Sequence, residues 1–163
     1  MTAKPFRIIL GLDPHQEAAG LLRAAAEFAS RLQAQVDVVE VLDFANPDQL
    51  ATGWPGGPGA GLPGPTGVPD DPATERAALE HLRRTVAETG AFETTSWEAH
   101  VTRGLAATRL STFARERGAD LIAIGAPSRG WSEWLHHLLS GSVAHDLERS
   151  CQVPLLMLPN SSR

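Results

Sequence analysis

The segment Gly125 to Ser142, GAPSRGWSEWLHHLLSGS, holds the chain's densest set of residues able to bind a ligand. It follows an apolar run and leads into a helical pattern that opens at Gly141-Ser142. A strand, a glycine-containing loop and a helix N-terminus in succession suit an anion. Free N–H groups and the positive end of the helix dipole point at the ligand, and glycine lets the backbone approach it. Ser142 can donate its hydroxyl to a phosphate or cap the helix; serine does both well. Arg129 offers a guanidinium fork that fits phosphate, and it fits a solvated loop equally well. The segment is not a Walker loop, because it lacks the Gly-Lys-Ser/Thr ending.

Other chemistries find less support. His136, His137 and His145, with Asp146 and Cys151, lack Cys-x2-Cys or His-x3-His spacing, and adjacent histidines leave a helix on different faces. No metal site is expected from them. There is no Ser-His-Asp order and no pair of carboxylates near the loop, so no catalytic residue is assigned. Phosphoryl transfer also needs metal ligands and a group that positions water, so any ATPase activity is expected to be slow. Asp13 could hold Mg²⁺, or cap a helix with Pro14 at its first position. Trp131 and Trp134 suit core or interface packing, and Cys151 reads as a small buried residue.

The elements that must position these residues alternate strand and helix. FRIILGL (6–12), VDVVEVL (36–42), TSWEAHVT (95–102), DLIAIG (120–125) and VPLLML (153–158) read as strands. Helical periodicity runs over 16–34, 73–88, 105–117 and 142–149, with Gly118 as a C-cap. Strands alternating with helices imply parallel pairing through right-handed crossovers. Near-continuous apolar strands imply a sheet covered on both faces. The expected fold is a five-stranded, parallel, doubly wound α/β sandwich. Such sheets bind ligands beyond the carboxyl ends of the strands, where strand order reverses. That directs attention to Asp13, the turn after Leu42, Arg103-Gly104 and the loop after Gly125.

The chain has 163 residues, a formal charge of −5 and a pI near 5.6. One domain is expected, without the basic face that nucleic acid requires. No apolar run is long enough to span a membrane, and the N-terminus lacks the pattern of a signal peptide. A single cysteine excludes an intrachain disulfide and suits a reducing cytoplasm. Residues 45–72 break the rhythm. They hold seven of the twelve prolines and no Lys or Arg, and read as a mobile insertion or a flap anchored by Trp54. The closing strand would be a sheet edge if it lies beyond the fourth. An apolar edge at Leu155–Leu158, bracketed by Pro154 and Pro159, favours a symmetric homodimer.

Three segments carry a resemblance. GSVAHDLERSCQVPLLML (141–158), RGLAATRLSTFARERGADLIAIG (103–125) and IILGLDPHQEAAGLLRAAAEFA (8–29) resemble the universal stress protein family, over nearly the whole chain. The resemblance implies a Rossmann-like sheet of strand order 3-2-1-4-5, usually in a homodimer. It also implies ATP, or another adenine nucleotide, bound through a Gly-x2-Gly-x9-Gly-Ser/Thr motif. By position, Asp13 would sit near the adenosine and Val41 would meet the adenine with its backbone. Gly125, Ser128, Arg129, Gly130, Gly141, Ser142 and Val143 would surround the ribose and phosphates. From Gly125 to Gly141 is sixteen positions, three more than the motif has, and Trp131 stands in the strict register of its middle glycine. The implied role is a cytoplasmic stress-response or regulatory protein. A dimeric adaptor of the same fold without nucleotide is the alternative.

Overall fold

The structure is a computed structural model that describes residues 4–13, 18–42, 72–126, 147 and 151–159. The Pro/Gly-rich insertion lies almost wholly outside the described residues. Eight elements follow in chain order: β1 (Arg7–Leu12), α1 (Ala18–Leu32), β2 (Gln35–Leu42), α2 (Pro72–Thr89), β3 (Trp97–Arg103), α3 (Ala106–Arg117), β4 (Leu121–Gly125) and β5 (Leu155–Leu158). The strands form one parallel sheet in the order β3-β2-β1-β4-β5. Expected and observed elements differ mainly at their ends. β3 begins at Trp97 because Ala91–Thr95 form a turn, which places Phe92 in the core.

Period-two alternation sends each strand's side chains to opposite faces. On one face Ile8, Leu10, Val36, Val38 and Ala123 pack with Leu21, Leu22, Ala25 and Ala29 of α1 and Leu82 and Val86 of α2. On the other, Ile9, Val39, Val41, Ile122 and Ile124 pack with Ala107, Leu110 and Ala114 of α3 and with Leu147. Both faces are therefore covered, which is why β1 and β4 read as near-continuous apolar runs.

Two details set how closely the layers approach. Gly11 of β1 faces α3, and a Cβ there would stand 2.9 Å from Leu110 Cδ1. Glycine therefore lets α3 settle onto the sheet. α3 ends at Gly118 in the left-handed conformation (φ 58°), with its N–H bonded to Arg115 O and the Ala119 N–H to Ala114 O. That pattern is the Schellman closure expected of glycine. α1 closes the same way, but with Gln33 at φ 51°.

Candidate functional site at the carboxyl edge of the sheet

β1 lies between β2 and β4, so the strand order reverses along it and a crevice opens beyond its carboxyl end. Gly11 pairs with Ile124, and continuing that register sets Asp13 opposite Ala126, directly after Gly125. The strand spacing there is about 4.8 Å. Two residues 112 positions apart in sequence thus flank one crevice. Asp13 is exposed, while Gly125 and Ala126 are half-buried. The Ala126 N–H is committed outward, donating to Leu158 O at 2.7 Å.

Val41 acquires its role from the ladder. Gln35 N–H donates to Phe6 O at 2.8 Å, so odd-numbered residues of β2 turn their backbone groups towards β1. Even-numbered residues turn towards β3, as Val36 N–H to Ser96 O (2.9 Å) and Gly104 N–H to Leu42 O (3.2 Å) show. Stepping along the ladder, Val41 N–H faces Leu12 C=O. β1 pairs with β2 only as far as Glu40, whereas β3 continues to Leu42. Val41 is thus the first residue of β2 beyond its pairing with β1, and its backbone groups turn to the β1 side while its side chain is buried in the core.

The end of β3 adds polar groups. Arg103 Nε lies 2.7 Å from Glu75 Oε1, tying β3 to the first turn of α2. Arg109 of α3 donates from Nε (2.9 Å) and Nη2 (2.7 Å) to the Thr102 hydroxyl. Its stem lies over Gly104, which has φ 124°. Thr102 is the register partner of Val41. Sequence reasoning singled out Arg103 and Gly104 but passed over Thr102 and Arg109. An arginine in the first turn of a helix that packs on its own preceding strand was the available signal.

Ser128, Arg129, Gly130, Gly141, Ser142 and Val143 lie outside the described residues. Both flanks of their segment are described. Gly125 ends β4, and Leu147 is helical, fully buried and packed in the α3 layer. Cys151 N–H donates to Leu147 O at 2.8 Å, the spacing of a helical turn, and Cys151 is half-buried against that layer.

A second polar cluster lies on the α3 face towards the amino ends of the strands. Asp37 of β2 is buried at 2% exposure. Its Oδ2 accepts from Arg7 Nη1 at 2.8 Å, and Arg7 Nη2 donates to Gln35 Oε1 at 2.9 Å. Its Oδ1 lies 3.0 Å from His100 Nε2. Glu98 Oε2 is 3.5 Å from the same nitrogen. Arg117 Nη2 lies 3.1 Å from His100 Nε2 and 3.4 Å from Glu98 Oε2. Phe113 packs on the imidazole with ring centroids 4.9 Å apart. The sequence offered no pattern here, because the sheet register assembles the cluster from three strands and a helix.

With the sheet order and the crevice in place, comparison with known proteins decides the family. The universal stress protein family model matches residues 5–159. This chain belongs to the universal stress protein family. Solved universal stress proteins share its fold. One, in complex with cAMP, is 18% identical, with a TM-score of 0.60 over 98% of this chain and 100% of that one. One from Archaeoglobus fulgidus, in complex with dAMP, is 22% identical, with a TM-score of 0.55 over 93% and 96%. A family protein from Burkholderia pseudomallei is 25% identical, with a TM-score of 0.54 over 94% and 95%. Among curated proteins, no sequence matches significantly. Among the described residues, no helix is long and apolar enough to cross a membrane.

Proposed function

We propose that this universal stress protein binds an adenine nucleotide, ATP in the first place, at the carboxyl edge of β1 and β4. In this reading the bound nucleotide sets its conformation or choice of partner in a cytoplasmic stress response. The Val41 carbonyl, on the β1 side of β2 just past the end of the β1–β2 pairing, carries the reading. Beside a crevice flanked by Asp13 and Gly125, it accepts a hydrogen bond from an exocyclic amino group such as that of adenine. The complexes of two family members with cAMP and dAMP support an adenine ligand.

Asp13 takes the ribose side or a Mg²⁺ that accompanies the phosphates. Gly125, Ser128, Arg129, Gly130, Gly141, Ser142 and Val143 make the phosphate cradle, with N–H groups at a helix start facing the anion. No residue is assigned to hydrolysis. The protein works as a homodimer through β5. Ile122 N–H donates to Pro154 O and Ala126 N–H to Leu158 O, so even-numbered residues of β5 serve β4. Leu155 and Met157 turn their backbone groups outward, where a second copy can pair with them.

The test is to denature freshly purified protein and identify any nucleotide released, then titrate the stripped protein with Mg-ATP by calorimetry. Saturable binding that Gly141→Val abolishes supports the reading. A folded, clean protein that takes up no ATP at millimolar concentration overturns it in favour of the nucleotide-free adaptor.

A further inference from the structure

We propose that Asp37, Glu98 and His100 form a binding site for one divalent transition metal ion of the Zn²⁺ or Co²⁺ type, and that Arg117 is the internal cation which the metal displaces. The parallel register creates the site. Asp37 of β2 is paired with Glu98 of β3, and His100 follows two residues later on the same face. Each offers one ligand atom, and these atoms lie within 4.8 Å of one another. His100 Nε2 stands 3.0 Å from Asp37 Oδ1 and 3.5 Å from Glu98 Oε2. Ligand atoms on a tetrahedral zinc ion, with bonds near 2.0–2.1 Å, are separated by about 3.3 Å. The two measured separations bracket that value.

The place already holds a positive charge. Asp37 and Glu98 both turn a carboxylate oxygen to His100 Nε2, and the Arg117 guanidinium sits beside the ring, with Nη2 3.1 Å from Nε2 and 3.4 Å from Nδ1. A metal ion at this place takes over that charge: with the imidazole proton on Nδ1, Nε2 offers its lone pair to the metal and both carboxylates face a cation. Arg117 is the last residue of α3, with a side chain 34% exposed, so it can turn into solvent without disturbing the helix. The support that metal ligands require is present as well. Arg7 holds the other oxygen of Asp37, which leaves Oδ1 turned to His100, and Phe113 fixes the ring. Glu98, 64% exposed, leaves the outer side open to a water ligand.

Asp37 precedes Val41 by four residues on β2, about 13 Å along the strand. The proposal therefore stands or falls separately from nucleotide binding. The experiment is a Co²⁺ titration of the full chain followed by visible absorption, with Zn²⁺ calorimetry in parallel. One ion per chain is expected, with Zn²⁺ displacing Co²⁺. His100→Ala and Glu98→Gln should each weaken binding by about tenfold or more. Arg117→Ala should tighten it by about fivefold, because a competing positive charge is gone. Glu98 is exposed, so Glu98→Gln reads the site even if His100→Ala loosens the fold. Equal affinity in wild type and Glu98→Gln would move the ion to other ligands and overturn the proposal. Failure of both wild type and Arg117→Ala to bind Zn²⁺ at millimolar concentration would do the same.

Discussion

Arg7 and Asp37 meet at 2.8 Å across the β1–β2 pair, with Asp37 almost completely removed from solvent. A charge in that position is tolerated because it is paired. Removing one partner strands the other. Arg7→Ala should cost about 3 kcal/mol of unfolding free energy, read by urea denaturation. Arg7→Lys should recover only part of that loss, since a lysine cannot reach Asp37 and Gln35 with one planar fork. A loss under about 0.5 kcal/mol in Arg7→Ala, the scale of an ordinary surface change, would show that His100 and Arg117 already neutralise the carboxylate.

The Val41 carbonyl implies discrimination between bases. ATP presents an amino group to it, whereas ITP presents a keto oxygen. ITP should bind at least about tenfold more weakly, the scale of one unmet buried hydrogen bond. Competition calorimetry with the two nucleotides checks this. Equal affinities would remove Val41 from base recognition and leave the cradle untouched.

In the cradle, Ser142→Ala should weaken ATP binding by about tenfold if its hydroxyl meets a phosphate, at about 1.4 kcal/mol per tenfold. A serine that only caps its helix would instead show up as lost stability of about 1 kcal/mol with affinity unchanged. Affinity and melting, measured on the same variant, separate the two roles.

Met157→Pro tests assembly. The Met157 N–H points away from β4, so proline there removes a donor from the outer edge and none from the intramolecular ladder. The variant should elute as a monomer in light scattering and keep its far-ultraviolet spectrum. A dimer that persists would place the interface elsewhere.

Gly118→Ala should destabilise the protein by about 1 kcal/mol, because a Cβ is disfavoured in the left-handed conformation at φ 58°. Gln33→Gly should act in the opposite direction at the end of α1, where a residue with a Cβ already occupies that conformation. Thermal melts of the two variants should shift to opposite sides of wild type.

The sequence made some of this architecture legible and hid the rest, for physical reasons. Strands buried on both faces leave near-continuous apolar runs, so β1 and β4 were readable, and Gly118 announced the end of α3. Asp13 and Gly125 were readable as edge residues, because the rule for open α/β sheets concerns the ends of strands rather than particular side chains. The Asp37, Glu98 and His100 cluster was not. Its members are separated by up to 63 positions, and nothing local marks which residues the register will set side by side. The carbonyl of Val41 was equally silent in its own segment. It depends on where β1 stops pairing with β2, which nothing in β2 itself marks.

Arg103 has a consequence for how this protein can vary. Its backbone is paired with Leu42, the last residue of β2, and its side chain holds Glu75 near the start of α2. The 29 residues from Asp43 to Asp71 join β2 to α2, and the end of the one and the start of the other are gathered on this arginine. Closure entropy changes by only about 0.6 kcal/mol for each halving or doubling of a flexible loop. With the ends of β2 and α2 fastened this way, the connection between them can lengthen, shorten or be exchanged during evolution while the sheet and its crevice stay as they are. The same junction can accept a foreign segment, because its two ends are held by contacts that do not involve the connection itself.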